Sequence, residues 1–433
     1  MSVGDRPFRP SILLTLSNGD GLRGRNGRRS LSCLAWLWLA LTACAATPAE
    51  QKIEAARAGV AANPQSADAH IALALALTRR ARETSDHAWH EQASAAVGKA
   101  LQLAPDNFAA RKIETWILLG RHKFARALEL ARDLNKRQPD DVLVYALLTD
   151  ACIEMGEYEE AEKTAQWALD LRPGDIAALT RAAYLRELFG DLQGAIDLMQ
   201  SAYTKTLPSE VEDRAWILCQ FAHLELLRGA PDVAERALTE ALQLFPGYHY
   251  ALRNLVKVHT ARGRHDEAVA VARDFYKAAP HPENLFVLGE ALVRAGQQEE
   301  ADKVFADFEK QGIAVAMAAD NANRELALYY ADHAGKPSEA VRFARLELAR
   351  RPDLFTRHAL AWALGASGQS GEARTEMDKV LAVGIRDPVI LYHAGMIAKA
   401  CGDAGGARKH FEASLSLAAH SEVAERARAE LKE

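Results

Sequence analysis

The sequence predicts an all-α fold, a solenoid of helix pairs stacked in a row. Three observations predict it. Gly and Ala stand five residues apart eight times, at Gly156/Ala161, Gly190/Ala195, Gly229/Ala234, Gly263/Ala268, Gly296/Ala301, Gly335/Ala340, Gly368/Ala373 and Gly402/Ala407. Successive glycines of this comb are spaced 34, 39, 34, 33, 39, 33 and 34 residues. Pro105, Pro139 and Pro173 keep a spacing of 34, as do Pro246 and Pro280. Such a period marks a repeating supersecondary unit, and 433 residues exceed what one core of ordinary size organises. Each letter has a mechanical role. Gly ends the first helix of a pair in a left-handed conformation. Ala sits where the second helix crosses the first and lets the axes approach. Pro follows the second helix and cannot continue it.

Composition agrees. Hydrophobic residues make up 49% of the chain and aromatics only 7%, which favours Ala- and Leu-rich helices over a disordered chain. The net charge is −5, and the first 43 residues carry six Arg against two Asp, so the remainder is acidic overall with both signs interspersed. That balance argues against nucleic acid as a partner and against a basic membrane-binding face.

Taken in order, the chain opens with features of an export signal. Arg23, Arg25, Arg28 and Arg29 precede the apolar run Leu31 to Ala43, "LSCLAWLWLALTA". Thirteen helical residues are too short for a hydrocarbon core of about 30 Å. The exit, Leu41-Thr42-Ala43-Cys44, resembles the bacterial lipobox, which implies a lipid on Cys44 and a membrane tether. Cleavage after Ala45 and a retained anchor are the alternatives. The divisions expected are a signal peptide over 1–43, a tether and lone helix over 44–65 ended by Pro64, a repeat array over 66–419, and a closing helix over 420–433 with Ser421 as its N-cap. After Cys44, the thiols are Cys152, Cys219 and Cys401, widely separated and without a CxxC motif.

The period and its letters resemble the tetratricopeptide repeat, a helix-turn-helix unit. The resemblance spans roughly 350 residues in ten repeats, beginning near Ser66, Phe108, Val142, Ile176, Ala215, His249, Pro282, Asn321, Leu354 and Pro388. It implies a right-handed superhelix of paired helices. Four departures stand out. Extra chain lies around Arg82–His90, Gly120 comes two residues early, and the two 39-residue spacings add "TLPSEVED" at Thr206–Asp213 and a stretch over Gly312–Asp320. The added stretches read either as longer loops and helices in an unbroken array or as joints.

Catalytic spacing is absent: there is no GxxxxGK[ST], no HExxH and no GxSxG elbow. The chain reads as a non-enzyme without cofactor. His87 and His90, with Glu91 beside them, are three apart and on a helix would share a face, but such histidines are more often solvated, and no metal is expected.

The resemblance places the first helix of each repeat on the concave wall. Carrying over its second, fifth, ninth, twelfth and thirteenth positions gives Tyr184, Trp216, Cys219, His223, Tyr250, Arg253, Lys257, Phe286, Glu290, Arg294, Glu325, Tyr329, Phe355, His358, Trp362, Tyr392 and Met396. The expected partner-binding groove is Tyr184, Trp216, His223, Tyr250, Arg253, Lys257, Phe286, Tyr329, Trp362 and Tyr392. Aromatics beside Arg suit a peptide surface, although any one of them is more often packing. The family's carboxylate clamp, built from Lys and Asn across three repeats, is not reproduced, because Arg253, Asn254 and Lys257 fall in one repeat. The function expected is a non-catalytic scaffold lipoprotein of the bacterial envelope, periplasmic and held at the outer membrane. It would bind protein or peptide partners for envelope assembly, secretion or polysaccharide export. A glycan or small-ligand module, or an accessory subunit of an envelope enzyme, are the rival readings.

Overall fold

The computed structural model describes residues 47–417 and 422–432. The export-signal stretch, Cys44 and Ser421 lie outside the described residues, which all belong to one unit of the chain, Ala46–Glu433. Among the described residues there are twenty-two helices and no strand.

A lone helix, α1 (Pro48–Ala62), comes first. Thr47 opens it with a capping box: the Glu50 N–H donates to Thr47 Oγ1, and the Thr47 N–H donates to the Glu50 carboxylate at 2.8 Å. Ten pairs follow: α2 (Ala67–Thr84) with α3 (His87–Leu103), α4 (Phe108–Gly120) with α5 (Phe124–Arg137), α6 (Val142–Glu154) with α7 (Tyr158–Leu171), α8 (Ile176–Leu188) with α9 (Leu192–Lys205), and α10 (Val211–Leu227) with α11 (Pro231–Leu244). The second five are α12 (His249–Ala261) with α13 (His265–Ala278), α14 (Pro282–Arg294) with α15 (Gln298–Val315), α16 (Asn323–Asp332) with α17 (Pro337–Leu348), α18 (Leu354–Ala366) with α19 (Ser370–Ala382), and α20 (Pro388–Ala400) with α21 (Ala404–Leu417). The final helix is α22 (Glu422–Glu430).

The comb does its expected work. All eight glycines take positive φ, from +60° to +84°. At Gly156 the turn closes as a Schellman motif, with Glu157 N–H donating to Cys152 C=O at 2.8 Å. All eight partner alanines are buried, Ala407 the least so at 4% exposure. Asp141, Asp175, Asp353 and Asp387 cap the starts of α6, α8, α18 and α20 by accepting from backbone N–H groups.

Two helix starts differ from expectation. The fifth pair begins at Val211 rather than near Ala215, because "VEDR" of the inserted stretch is helical and lengthens α10 to 17 residues. The eighth begins at Asn323, with Asn321 outside the helix and its Oδ1 accepting from Asn323 N–H at 2.8 Å. The second insertion likewise lengthens α15 to 18 residues before a short turn. Both insertions are therefore extended helices followed or preceded by a brief loop.

Curvature follows from which helices touch. First helices adjoin the first helix of the next pair, as α2 does α4, α6 does α8, α10 does α12 and α16 does α18. No second helix meets the next second helix to a comparable extent. A row whose units approach more closely on one side bends toward that side. The first helices thus form the inner wall of a superhelix, and the second helices fan out on its convex side.

Candidate functional site

The superhelix is tight enough to meet itself. Leu354 N–H donates to Tyr158 Oη at 2.7 Å across 196 residues. Arg351 bonds Glu154 across 197 residues, and His281 Nε2 meets the Ser85 carbonyl at 2.5 Å across 196. A near-constant offset of this size means that one superhelical turn takes about six helix pairs of 34 residues. Early turns therefore lie against later helix starts along a seam, and the inner wall encloses a lumen.

The departures from the repeat meet at this seam. Arg82, in the first irregular stretch, pairs with Glu212 and Asp213 of the second. Tyr248 also gives its hydroxyl proton to Glu212. His87 Nε2 lies 2.6 Å from Asp320 Oδ2, and His122 Nδ1 lies 3.1 Å from the other oxygen of that carboxylate. The early Gly120 has a steric reason, since a Cβ there would stand 2.4 Å from the His90 ring. His122 then fills the left-handed turn position that glycine holds in later repeats, at φ +53°. It closes the same hydrogen-bonded turn, Lys123 N–H donating to Leu118 C=O at 2.8 Å.

The predicted wall residues divide into those that pack and those that face the lumen. Trp216 is shared between two buried clusters, one around Leu238 and one around Ile196. Phe286 and Tyr329 join Phe305, Phe308 and His333 in a set of ring contacts. Trp362 stacks flat on His393 at 3.6 Å and donates Nε1–H to Asp332 at 2.7 Å. His223 Nε2 bridges to Glu187 of the preceding repeat at 3.0 Å. Tyr392 is a correction: at 8% exposure, against Phe411, it does not line an open wall. The reason is common to all. An aromatic at these positions finds the neighbouring repeat before it finds solvent.

What remains open is polar. Arg253 and Lys257 are exposed, one turn apart on α12, and have no hydrogen bond or ion pair among the described residues. Tyr184 and Tyr250 are half-buried and pack, like the other aromatics, against neighbouring clusters. The Lys257 ammonium is nonetheless pulled down to about 8 by burial and then by Arg253, with Asp387 and Glu187 opposing from other repeats. Both statements hold for a group lining a narrow wet passage: water touches it, while protein fills most of the volume around it. On the first turn of α14, burial and then the Glu325 charge push Glu283 up to about 7. Asn254 turns away and donates to Cys219 C=O at 3.3 Å, so no clamp forms with its neighbours.

Two metal candidates resolve otherwise. His87 and His90 do not converge, their ring centroids being 6.5 Å apart. Ligand atoms of Cys152, Glu157 and Glu160 lie within 4.8 Å of one another. Arg132 bridges both carboxylates, however, and burial followed by those carboxylates pushes the Cys152 thiol up to about 12. A cation already occupies the electrostatic niche, and the sulfur keeps its proton.

Stacked antiparallel pairs with a continuous inner wall define the class: a helical-repeat solenoid, in which each unit is buried by its neighbours. The chain carries tetratricopeptide repeats. Tetratricopeptide repeat family models match residues 118–183 and 219–281, and such arrays serve as scaffolds for protein interaction. No curated protein matches the chain. Among solved structures, the APC/C hetero-tetramer Cut9-Hcn1 is similar at 16% identity and a TM-score of 0.50, over 73% of this chain and 59% of that one. The chain thus spans less than two thirds of that relative, and the likeness is one of fold. PilW, a type IV pilus biogenesis factor, is 12% identical over 47% of this chain and 92% of its own, with a TM-score of 0.41. TTC0263, a tetratricopeptide protein of Thermus thermophilus, is 21% identical over 40% and 92%, with a TM-score of 0.35. Those two scores carry nothing further.

Proposed function

We propose that this protein is a non-catalytic adaptor of the bacterial cell envelope, tethered through a lipid on Cys44, that takes an extended acidic segment of a protein partner into its lumen. The observation that supports the lumen reading is the pair Arg253 and Lys257: two cations a turn apart on the inner wall, accessible to water and without a carboxylate at bonding distance. Cations that no carboxylate bonds directly favour an anionic guest. The tether rests on the arginine-flanked apolar run that ends at Cys44. The glycan alternative needs open aromatic faces, and His393 covers that of Trp362.

Affinity capture from envelope extract tests the lumen. The double variant Arg253→Ala/Lys257→Ala is expected to retain its helicity and lose the polypeptide that the parent captures. Equal capture places the interface elsewhere. These two side chains are better probes than Trp216, whose truncation opens cavities in two clusters. For the tether, Cys44→Ala is expected to move the protein from the membrane to the soluble fraction, and unchanged fractionation refutes it.

A further inference from the structure

We propose that the junction where the first two repeats lie against repeats six to eight is a proton-operated latch, shut near neutral pH and released in acid so that the lumen opens along its side. That release admits a partner rests on the lumen reading above; the release itself does not.

The junction is built, and at a cost. Among the described residues, two that are not glycine have positive φ, Ser85 at +56° and His122 at +53°. Both are at this junction. A left-handed residue with a Cβ is strained, and such strain persists where surrounding structure over-determines it. Each strained residue supplies a bond across the seam. The Ser85 carbonyl accepts from His281 Nε2, and His122 reaches Asp320. One turn away, His249 Nε2 donates to the Arg82 carbonyl at 3.0 Å. Five imidazoles thus gather here, those of His87, His90, His122, His249 and His281.

Their surroundings set the direction of the response. A carbonyl only accepts, so His249 and His281 each donate from Nε2, a bond that the neutral and the charged ring both make, and what opposes the charged form is burial beside other cationic groups. Burial, then His87, His122 and Arg121, pulls His90 down to about 4, and its Nδ1 has no partner. Burial, then His281 and Arg253, pulls His249 down to about 4 against the bond to Arg82. Burial and then His87 lower His281, with Ser85, Asp320 and Asp86 opposing. His87 is the exception: its bond to Asp320 raises it against burial, helped by Glu283 and Asp86. Burial would lift Asp320, but its bonds to His122 and His87 hold it far below the carboxylate range.

The signs follow from linkage. An imidazole with ordinary affinity takes its proton near pH 6.5. His90 and His249 leave closure unopposed above about 6.5 and oppose it progressively as pH falls toward about 4, and His281 acts in the same direction. His87 favours closure fully below about 6.5 and loses that contribution as pH rises past its raised value. Three rings therefore act against one as acid increases, while Asp320 stays ionised. The new positive charges of His90 and His249 face Arg121 and Arg253, and the rings also face one another.

Spin labels on Lys99→Cys and Lys303→Cys, both at exposed positions on either side of the junction, read the state in the full chain with its native thiols replaced. The expected result is one short distance at pH 7.5 that lengthens reversibly at pH 4.5, with a midpoint between 4 and 6.5 and unchanged far-UV helicity. His249→Gln/His281→Gln keeps an amide donor for each carbonyl and is expected to stay shut at pH 4.5. An unchanged parental distance, opening only together with loss of helicity, or parental opening in the double variant overturns the proposal. Should that variant not fold, Asp320→Asn decides: it is expected to be open at pH 7.5, and a shut junction overturns the latch. If the junction opens yet Arg253→Ala/Lys257→Ala captures partner as the parent does, the latch stands and the lumen reading fails.

Discussion

A Cβ built on Gly156 would stand 2.7 Å from the carbonyl oxygen of Pro352, one superhelical turn away. Glycine is needed there twice, for a φ of +71° and for the approach of another repeat's backbone. Gly190 repeats the arrangement against the Gly384 carbonyl, at 2.6 Å. Gly263 has the same backbone, φ +69°, but nothing within 4 Å. Gly263→Ala is therefore expected to cost only the backbone strain, about 1–2 kcal/mol. Gly156→Ala carries that cost and must also displace a carbonyl. Urea midpoints of the two variants check this. Equal shifts would mean that the seam contributes nothing at Gly156.

Glu212 holds two buried-side partners at once, Arg82 and the Tyr248 hydroxyl. Tyr248 is fully buried, so its hydroxyl has no water to turn to. Glu212→Ala should cost about 1–3 kcal/mol, the range for leaving a buried polar group unbonded. Glu212→Gln keeps an acceptor for Tyr248 and should cost less. Hydrogen exchange locates the effect: faster exchange is expected in the last turn of α2 and unchanged exchange in α18 to α21. A uniform change along the array would refute a local role.

Helix ends and crossings are legible in the sequence because they depend on single residues. Gly156 and Ala161 fix a turn and a close approach whatever stands between them. The seam is not legible in the same way. It depends on a small rotation per repeat, summed over about six repeats, and no local pattern encodes that sum. Its traces are visible as irregularities at Arg82–His90, Gly120, Thr206–Asp213 and Gly312–Asp320. Along the chain they are separate departures, yet three of them supply His90, His122 with Gly120, and Asp320 to one place. The predicted wall is partly legible. Arg253 and Lys257 are exposed on the inner helix α12, whereas Trp216, Phe286, Tyr329, Trp362 and Tyr392, at equivalent positions, serve packing between repeats. Position within a repeat says which way a side chain points, not what the next repeat places in front of it.

The thiols give a third expectation. Cys152 and Cys219 are both fully buried. Burial is the first cause that raises each, Cys152 to about 12 and Cys219 further, so neither offers a thiolate at neutral pH. Cys401 is less buried and shares its S–H with the Ser370 carbonyl at 3.2 Å. Alkylation of the native protein at pH 8, mapped by peptide mass, should leave Cys152 and Cys219 unmodified and label both after denaturation. Labelling of Cys152 in the native state would show that the α6–α7 turn opens and that Arg132 does not hold it shut.

Acid should also loosen the far end of the array, by a route separate from the seam. His358 Nε2 and His393 Nδ1 lie 2.9 Å apart, a bond that needs one ring to donate and the other to accept. Burial pulls His358 down to about 4, and burial, then His358 and Arg426, lowers His393 further. Asp387 is the opposing charge on His358. Once the accepting ring takes a second proton the pair loses its acceptor, and Trp362, stacked on His393, loses a settled neighbour. Both affinities are depressed in the folded state, so this stabilisation is whole above about pH 6.5 and fades as pH falls toward 4. The melting temperature should accordingly be flat from pH 8 to 6.5 and then decline. His358→Gln, which can still bond His393, should flatten the decline while leaving the labelled distance across the seam unaffected. A decline unchanged by His358→Gln would assign acid sensitivity to other groups, and a parallel change in the seam distance would mean that the two histidine clusters are not independent.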